Sequence, residues 1–449
     1  MSWFPALAIS LAAPALLAPL LSGKPRLVKA LTLLGAASAL AIHALSPASS
    51  SGELSLDSFS YAVLLIALLD ALVALAGFTG PASEYAQAAP FYSIALLSAL
   101  GVAGLAYAGT LPVLLASWAL FSVASFALFA LAKDKFSAAG AVKYGLMSVA
   151  SSSFLLLALS AATAATGSLA IEPSRAGGYL LLASLGLLLA AVGFKVGVFP
   201  FHAWLPDAYG VSDPLPVSLV SALSKSAAVL VFYKLSLVAA DTLGDSWLRL
   251  VGLAALLTMT YGNIAALLQR SLQGLLAYSS IAHAGYILVG VAALSLHGQA
   301  KSLAVAGLLL QLLAYSFGKT GLFLAARLLR RSGAAPVSLE EVKGLGAADP
   351  GAAASSLILL LSLMGMPPLA GFWGKLYLFL SVVESAPWLT AIALINTGIG
   401  AAYYARLVKS MYFESGKPAT LPYRSTRAAL LACSVVSVAA GFLLPFVLL

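Results

Sequence analysis

The sequence predicts an all-α integral membrane protein with about fourteen transmembrane helices. Three observations carry that prediction. Of 449 residues, 61% are hydrophobic and only 9% are charged, against roughly 25% charged in a soluble domain. Apolar runs of the ~20 residues needed to cross a bilayer recur from one end of the chain to the other. Lysine and arginine fall overwhelmingly in alternate inter-helix segments. There is no room for a sizeable soluble domain.

The elements follow in order. The first run, 4–21, is not preceded by a basic segment, so it is expected to be a span and not a cleaved signal. Lys24 and Arg26 separate it from 27–45. The third, 57–78, opens on Asp57, expected to be an N-cap or first-turn charge, and encloses Asp70. Runs at 90–108 and 111–131 precede Lys133 and Lys135, and 141–165 follows. The seventh, 178–205, is interrupted by Pro200 after Lys195. The eighth, 214–240, carries Lys225 and Lys234. The ninth is 247–268; the tenth, 274–295, holds His283; the eleventh, 303–328, holds Lys319. The twelfth, 353–383, is interrupted by Pro367 and Pro368 before Lys375. Runs at 387–411 and 427–448 complete the count.

The loops test this count. Sixteen of the 24 basic residues fall on one side of the alternation (among them Lys24, Lys143, Arg270, Arg331 and Arg427). Three (Arg175, Arg249 and Lys301) fall on the other, and five lie within spans. A miscounted helix would scramble that asymmetry. The basic side is expected to be cytoplasmic, with both termini opposite. The two broken, lysine-bearing helices are five apart and so run in opposite directions, the pattern of an inverted repeat. The expected division is 1–89 for helices one to three, 90–240 and 247–411 for two five-helix repeats, and 427–449 for the last helix.

Chemistry concentrates in the spans. A lysine at the centre of a membrane helix costs about 2.5–3.5 kcal/mol, so four cost on the order of 10 kcal/mol before partners recover some of it. Lys195, Lys225, Lys319 and Lys375 have apolar residues on both sides. Lys234, toward a helix end, is expected to snorkel. Burial disfavours a charged lysine and a nearby carboxylate favours it. A lysine poised between those effects can take up and release a proton. His283, in the tenth span, suits such a relay. His202 follows the break at Pro200, either as a structural group or as a gate for incoming protons. His43 and His297 are expected at the interface. Asp70 is the clearest acid inside a span, and such a group usually faces protein.

Other functions are excluded. A single cysteine, Cys433, leaves no internal disulfide and no cysteine-ligated iron–sulfur cluster. No cofactor or metal is expected in this chain. The net charge of +9 sits in short loops and reads as topology, with no nucleic-acid surface. Gly318-Lys319-Thr320 mimics the end of a phosphate-binding loop, but Leu313 occupies the required glycine position. Gly374-Lys375 fails similarly.

Three stretches are specific in combination. They are Gly193-Phe194-Lys195 through Trp204-Leu205-Pro206-Asp207, Leu276-Ala277-Tyr278-Ser279-Ser280-Ile281-Ala282-His283-Ala284-Gly285-Tyr286, and Gly365-Met366-Pro367-Pro368-Leu369-Ala370-Gly371-Phe372-Trp373-Gly374-Lys375. From about Asp57 to Phe413 the chain resembles the proton-conducting antiporter-like subunits of complex I, kin to cation/proton antiporter and membrane-bound hydrogenase subunits. Its length and the lysine closing the third stretch most resemble the N-type subunit. The resemblance implies that Lys195 is the proton carrier of the first half, that Lys225 connects the halves, that Lys319 falls where several members have an eleventh-helix lysine, that His283 is a relay group, and that Lys375 hands the proton onward.

One departure stands out. The family carries a glutamate after a tryptophan in the fifth helix, paired with the seventh-helix lysine. Here the string is Ser117-Trp118-Ala119-Leu120. The expectation is that Asp70 substitutes. The resemblance implies a proton-translocating subunit of a redox-driven, NADH-quinone oxidoreductase-like complex in the cytoplasmic (inner) membrane. Its partners would be other membrane subunits, the lipid bilayer and protons, with sodium ions left open. The alternatives are a cation/proton antiporter or hydrogenase subunit, and a scaffold that has lost transport.

Overall fold

The computed structural model describes residues 3–46, 52–78, 88–131, 135–172, 178–238, 244–330 and 334–445. Lys133, Arg175 and Arg331, used above as loop charges, lie outside the described residues. Among the described residues the regular structure is helical, with only isolated β-bridges such as Leu54–Ala108. The helices are α1 (Phe4–Leu17), α2 (Pro25–Leu45), α3 (Ser58–Ala76), α4 (Ala88–Tyr107), α5 (Leu111–Ala130), α6 (Lys135–Thr166), α7 (Tyr179–Val196), α8 (Trp204–Tyr209), α9 (Pro214–Val238), α10 (Gly244–Leu267), α11 (Leu272–Ala293), α12 (Gly298–Leu329), α13 (Leu345–Ala348), α14 (Pro350–Met364), α15 (Ala370–Val382), α16 (Pro387–Phe413) and α17 (Arg424–Leu443).

Thirteen helices among the described residues are long and apolar enough to cross a bilayer. The fourteenth span is α14 and α15 in series. At 15 and 13 residues each reaches only ~20 Å, short of the ~30 Å hydrocarbon core. The segment Glu340–Ala348 also abuts α14, bent by 115°, but it carries Glu340, Glu341 and Lys343 and belongs to the loop. The predicted sixth span, 141–165, starts earlier and runs 32 residues. Lys143, read as a loop charge, therefore lies inside α6.

The two broken spans match each other. The first stops at Val196, with Gly197 in the left-handed conformation at φ 76° and ψ 44°. The second stops at Met364, with Gly365 at φ 92° and ψ 40°. A proline follows three residues after each glycine, Pro200 and Pro368. A side chain at either glycine would be strained, so the helix ends where the sequence permits that turn.

Small residues set the close crossings. Gly262 of α10 packs against α11, where an added Cβ would lie 2.9 Å from Ala282 Cα. Gly285 of α11 packs back on α10, 2.7 Å from Met259 Cβ on the same measure. With little hydrophobic drive between helices in lipid, such backbone approach supplies the packing. Ion pairs respect the sidedness read from the loops. Lys143–Asp207, Arg327–Asp213, Lys343–Glu414 and Arg427–Asp349 all join elements on the basic side.

Candidate proton-relay site

Lys195 occupies the last turn of α7 and is 1% exposed. Its ammonium donates to the hydroxyls of Ser122 (3.3 Å) and Ser125 (3.2 Å) on α5 and of Ser148 (3.3 Å) on α6. It also lies 4.9 Å from the Phe121 ring centroid, 4.7 Å from Tyr144 and 6.0 Å from Trp118. Hydroxyl oxygens and ring faces together solvate the cation without a carboxylate, each ring contributing roughly 0.5–2 kcal/mol. The Tyr144 hydroxyl donates to Ser125 at 2.7 Å, tying the cage together. Ala119 faces outward from α5, exposed, while Trp118, Phe121, Ser122 and Ser125 face the lysine.

Lys225, on α9, donates to the Val196 carbonyl at 2.7 Å. It thus caps the half-helix that carries Lys195. Lys225 lies 5.5 Å from the Tyr315 ring centroid, and Lys319 lies 5.9 Å from the same ring. Lys319, on α12, donates to the Leu276 carbonyl at 2.8 Å and to the Ser279 hydroxyl. Tyr315 therefore stands between the lysines of the two halves, and its ring is also 5.7 Å from that of His283.

His283 continues the line. Its Nε2 is 3.3 Å from the Tyr404 hydroxyl and its Nδ1 is 2.9 Å from the Gln311 amide nitrogen. An amide NH₂ donating to Nδ1 leaves the imidazole proton on Nε2; the flipped amide would accept from Nδ1–H and reverse the tautomer. Tyr286 lies 5.7 Å from His283, and Lys375 lies 4.8 Å from the Tyr286 ring. Lys375, on α15, reaches back across the break to donate to the carbonyls of Leu363 (2.9 Å) and Met364 (3.0 Å).

Lys225, Lys319, His283 and Lys375 are thus brought into one buried file bridged by the Tyr315 and Tyr286 rings, and Lys195 adjoins it through the Val196 carbonyl that Lys225 holds. Asp70 is buried elsewhere. On α3 it accepts from the Thr320 hydroxyl of α12 at 3.0 Å, and its other oxygen has no hydrogen-bond partner. It is not among the groups that bond Lys195, so the expected substitution for the fifth-helix glutamate does not hold in this geometry. Asp70 faces α12 while Lys195 faces α5 and α6. His202 lies in the first break, nearly buried, with its ring 4.1 Å from Tyr261 and 5.3 Å from Phe199. Lys234 does not snorkel: it is 2% exposed and pairs with Asp57 at 3.0 Å. Asp57 caps α3 as expected, accepting from Ser60 N at 2.9 Å. Burial alone would raise the Asp57 carboxyl. The Lys234 ammonium, with the Ser60 amide and hydroxyl, outweighs it and holds the group below its ordinary value. His43, expected at the interface, is fully buried, with Nε2 3.0 Å from the Tyr61 carbonyl.

Residues 108–400 match the family described as NADH:quinone oxidoreductase/Mrp antiporter, transmembrane. The chain belongs to that family. It is 33% identical over 417 residues to F(420)H(2) dehydrogenase subunit N of Methanosarcina mazei, covering 88% of this chain and 83% of that one. It is 34% identical over 403 residues to NADH-quinone oxidoreductase subunit N of Trichlorobacter lovleyi, covering 87% and 81%. Its fold superposes on a chain of respiratory complex I from Thermus thermophilus with a TM-score of 0.85, 31% identity and 98% coverage of both chains. A chain of the Mrp complex from Dietzia shares the fold alone, with a TM-score of 0.85 at 22% identity and coverage of 100% and 96%.

For an antiporter-like subunit of this family, the file contains groups the sequence reading passed over. Tyr315, Tyr286, Gln311 and Tyr144 carry no role in the sequence analysis. A signal was present. Gln311, Tyr315 and Lys319 are spaced i, i+4, i+8 on one helix, and Ser279, His283 and Tyr286 are spaced i, i+4, i+7 on the next. Each set shares a helix face. Trp118, Phe121, Ser122 and Ser125 have the same kind of spacing, which identifies the α5 face turned toward Lys195.

Proposed function

We propose that this chain is a proton-translocating membrane subunit of a redox-driven, complex I-like oxidoreductase. Protons pass along Lys195, Lys225, Lys319, His283 and Lys375, with tyrosine, glutamine and water between them. The observation that carries this reading is the buried file itself, whose successive groups are linked by rings 4.8–5.9 Å from the ammonium groups of Lys225, Lys319 and Lys375. Its charge favours protons over sodium. A row of ammonium groups repels a metal cation, and among the described residues no three acidic, histidine or cysteine side chains cluster to hold one. Asp70, on α3 against α12, acts as a proton-exchanging group apart from Lys195, and His202 serves uptake at the first break.

The similar subunits are named for complexes with NADH and with reduced F420 as donors, which supports a conserved proton module served by different electron inputs. With one cysteine in 449 residues, the chain is proposed to hold no redox centre and to receive its drive from neighbouring subunits. The basic side is proposed to be cytoplasmic in the inner membrane, with both termini opposite and the 90–240 and 247–411 segments as the inverted repeats.

The test is proton uptake by proteoliposomes holding the intact complex, measured with electron transfer. Lys375→Ala should lower the protons moved per electron while subunit composition stays complete. Full stoichiometry in both Lys195→Ala and Lys375→Ala would instead establish the scaffold reading, which the alanine at position 119 favours.

A further inference from the structure

Both broken spans end in the same way, though different residues do the work. The last turn of an α-helix leaves carbonyls unpaired and carries about half a negative charge. At α7 the free end is met by Lys225, 2.7 Å from Val196 O, from a different helix. At α14 it is met by Lys375, 2.9 Å from Leu363 O and 3.0 Å from Met364 O, from across its own break. Both lysines are buried among neutral groups and other cations. Tyr315, Lys319 and His283 face Lys225, whose ammonium donates to Val196 O. Tyr286, His283 and the half-helix end face Lys375. The buried carboxyl of Asp70 bonds Thr320 and neither lysine.

We propose that the half-helix ends of α7 and α14 are the counter-charges of this relay, and that Lys225 is a positioning residue for Lys195. Lys195 is adjacent to Val196. A charged Lys225 holds the Val196 carbonyl and fixes the terminal turn on which Lys195 sits in its hydroxyl cage. When Lys225 gives up its proton, the ammonium no longer attracts the helix end, and the turn bearing Lys195 loosens. Proton occupancy at the junction thereby sets the geometry of the first carrier without a carboxylate at position 119. Lys375 does the same for α14. This rests on the relay reading above, but its readout is separate.

The terminal turns can be followed by their amides. Gly197 N and Val198 N both donate to Gly193 O at 2.9 Å, while Gly365 N and Met366 N bond Leu361 O at 3.1 and 3.0 Å. Amide hydrogen exchange is measured on the intact complex in detergent or nanodiscs. Lys225→Leu should speed exchange at Gly197 and Val198 about tenfold, the change that ~1.4 kcal/mol produces, and leave Gly365 and Met366 unaltered. Lys375→Leu should do the reverse. Lys225→Arg keeps an untitratable cation, so it should preserve exchange at Gly197 and Val198 while pumping is lost. Because each variant has the other break as its internal control, general misfolding would speed both and be recognised. Unchanged exchange at Gly197 and Val198 in Lys225→Leu overturns the proposal while leaving the relay intact. Faster exchange with undiminished pumping would keep the capping role and overturn the relay reading instead.

Discussion

A buried histidine relays a proton only if its two nitrogens can exchange roles, and Gln311 holds one of them in this chain. Its amide fixes the His283 tautomer, and a flip resets it. Gln311→Leu removes that control while nearly conserving volume. The rate of proton uptake should fall about tenfold with unchanged thermal stability, and the pH profile of pumping should shift where Lys375→Ala simply flattens it. The Lys234–Asp57 pair belongs to the same scale. Asp57 lies below its ordinary value, so the pair's stabilisation is full above the ordinary carboxylate range, near 4, and is lost as pH falls through the depressed value. Lys234→Ala should cost about 1–3 kcal/mol at neutral pH, less than a fully buried pair because Asp57 is part-exposed. It should also flatten the loss of stability on acidification. Thermal unfolding of the complex between about pH 2 and 7 measures both.

At the scale of elements, the helix count and the two breaks were legible because bilayer thickness, loop charge and proline act locally along the chain. Partnerships between helices were not. Asp70 was assigned to Lys195 on burial alone, but α3 packs on α12 and places the carboxyl against Thr320. Nothing in the sequence of a span states which neighbour its polar face meets. Asp70→Asn keeps the acceptor for Thr320 and should leave assembly intact. Pumping should drop several-fold if the acid exchanges protons there, and unchanged proton-to-electron ratios would restrict Asp70 to tying α3 to α12. The α10–α11 crossing gives a structural control. Gly285→Val meets Met259 across a contact with no spare volume, so it should lower the yield of assembled complex, with a cost of about 2–4 kcal/mol.

Across the whole molecule, the inverted repeat builds two similar broken spans and then equips them differently. In the second half one lysine, the proposed carrier Lys375, also caps its own break. In the first half the two tasks are split between Lys195, in a cage of serine and aromatic side chains, and Lys225, on the helix end. The sequence exposed the lost fifth-helix glutamate but not this proposed replacement, because backbone carbonyls leave no mark in a residue string. A working first half without that acid is the central claim. It is tested most directly by the proton-to-electron ratio of the reconstituted complex with Lys195→Ala, measured at matched electron-transfer rates. A lowered ratio is predicted, since protons entering the first half must pass this cage. A ratio equal to that of the unmodified complex would contradict the account and leave the second half as the conducting path.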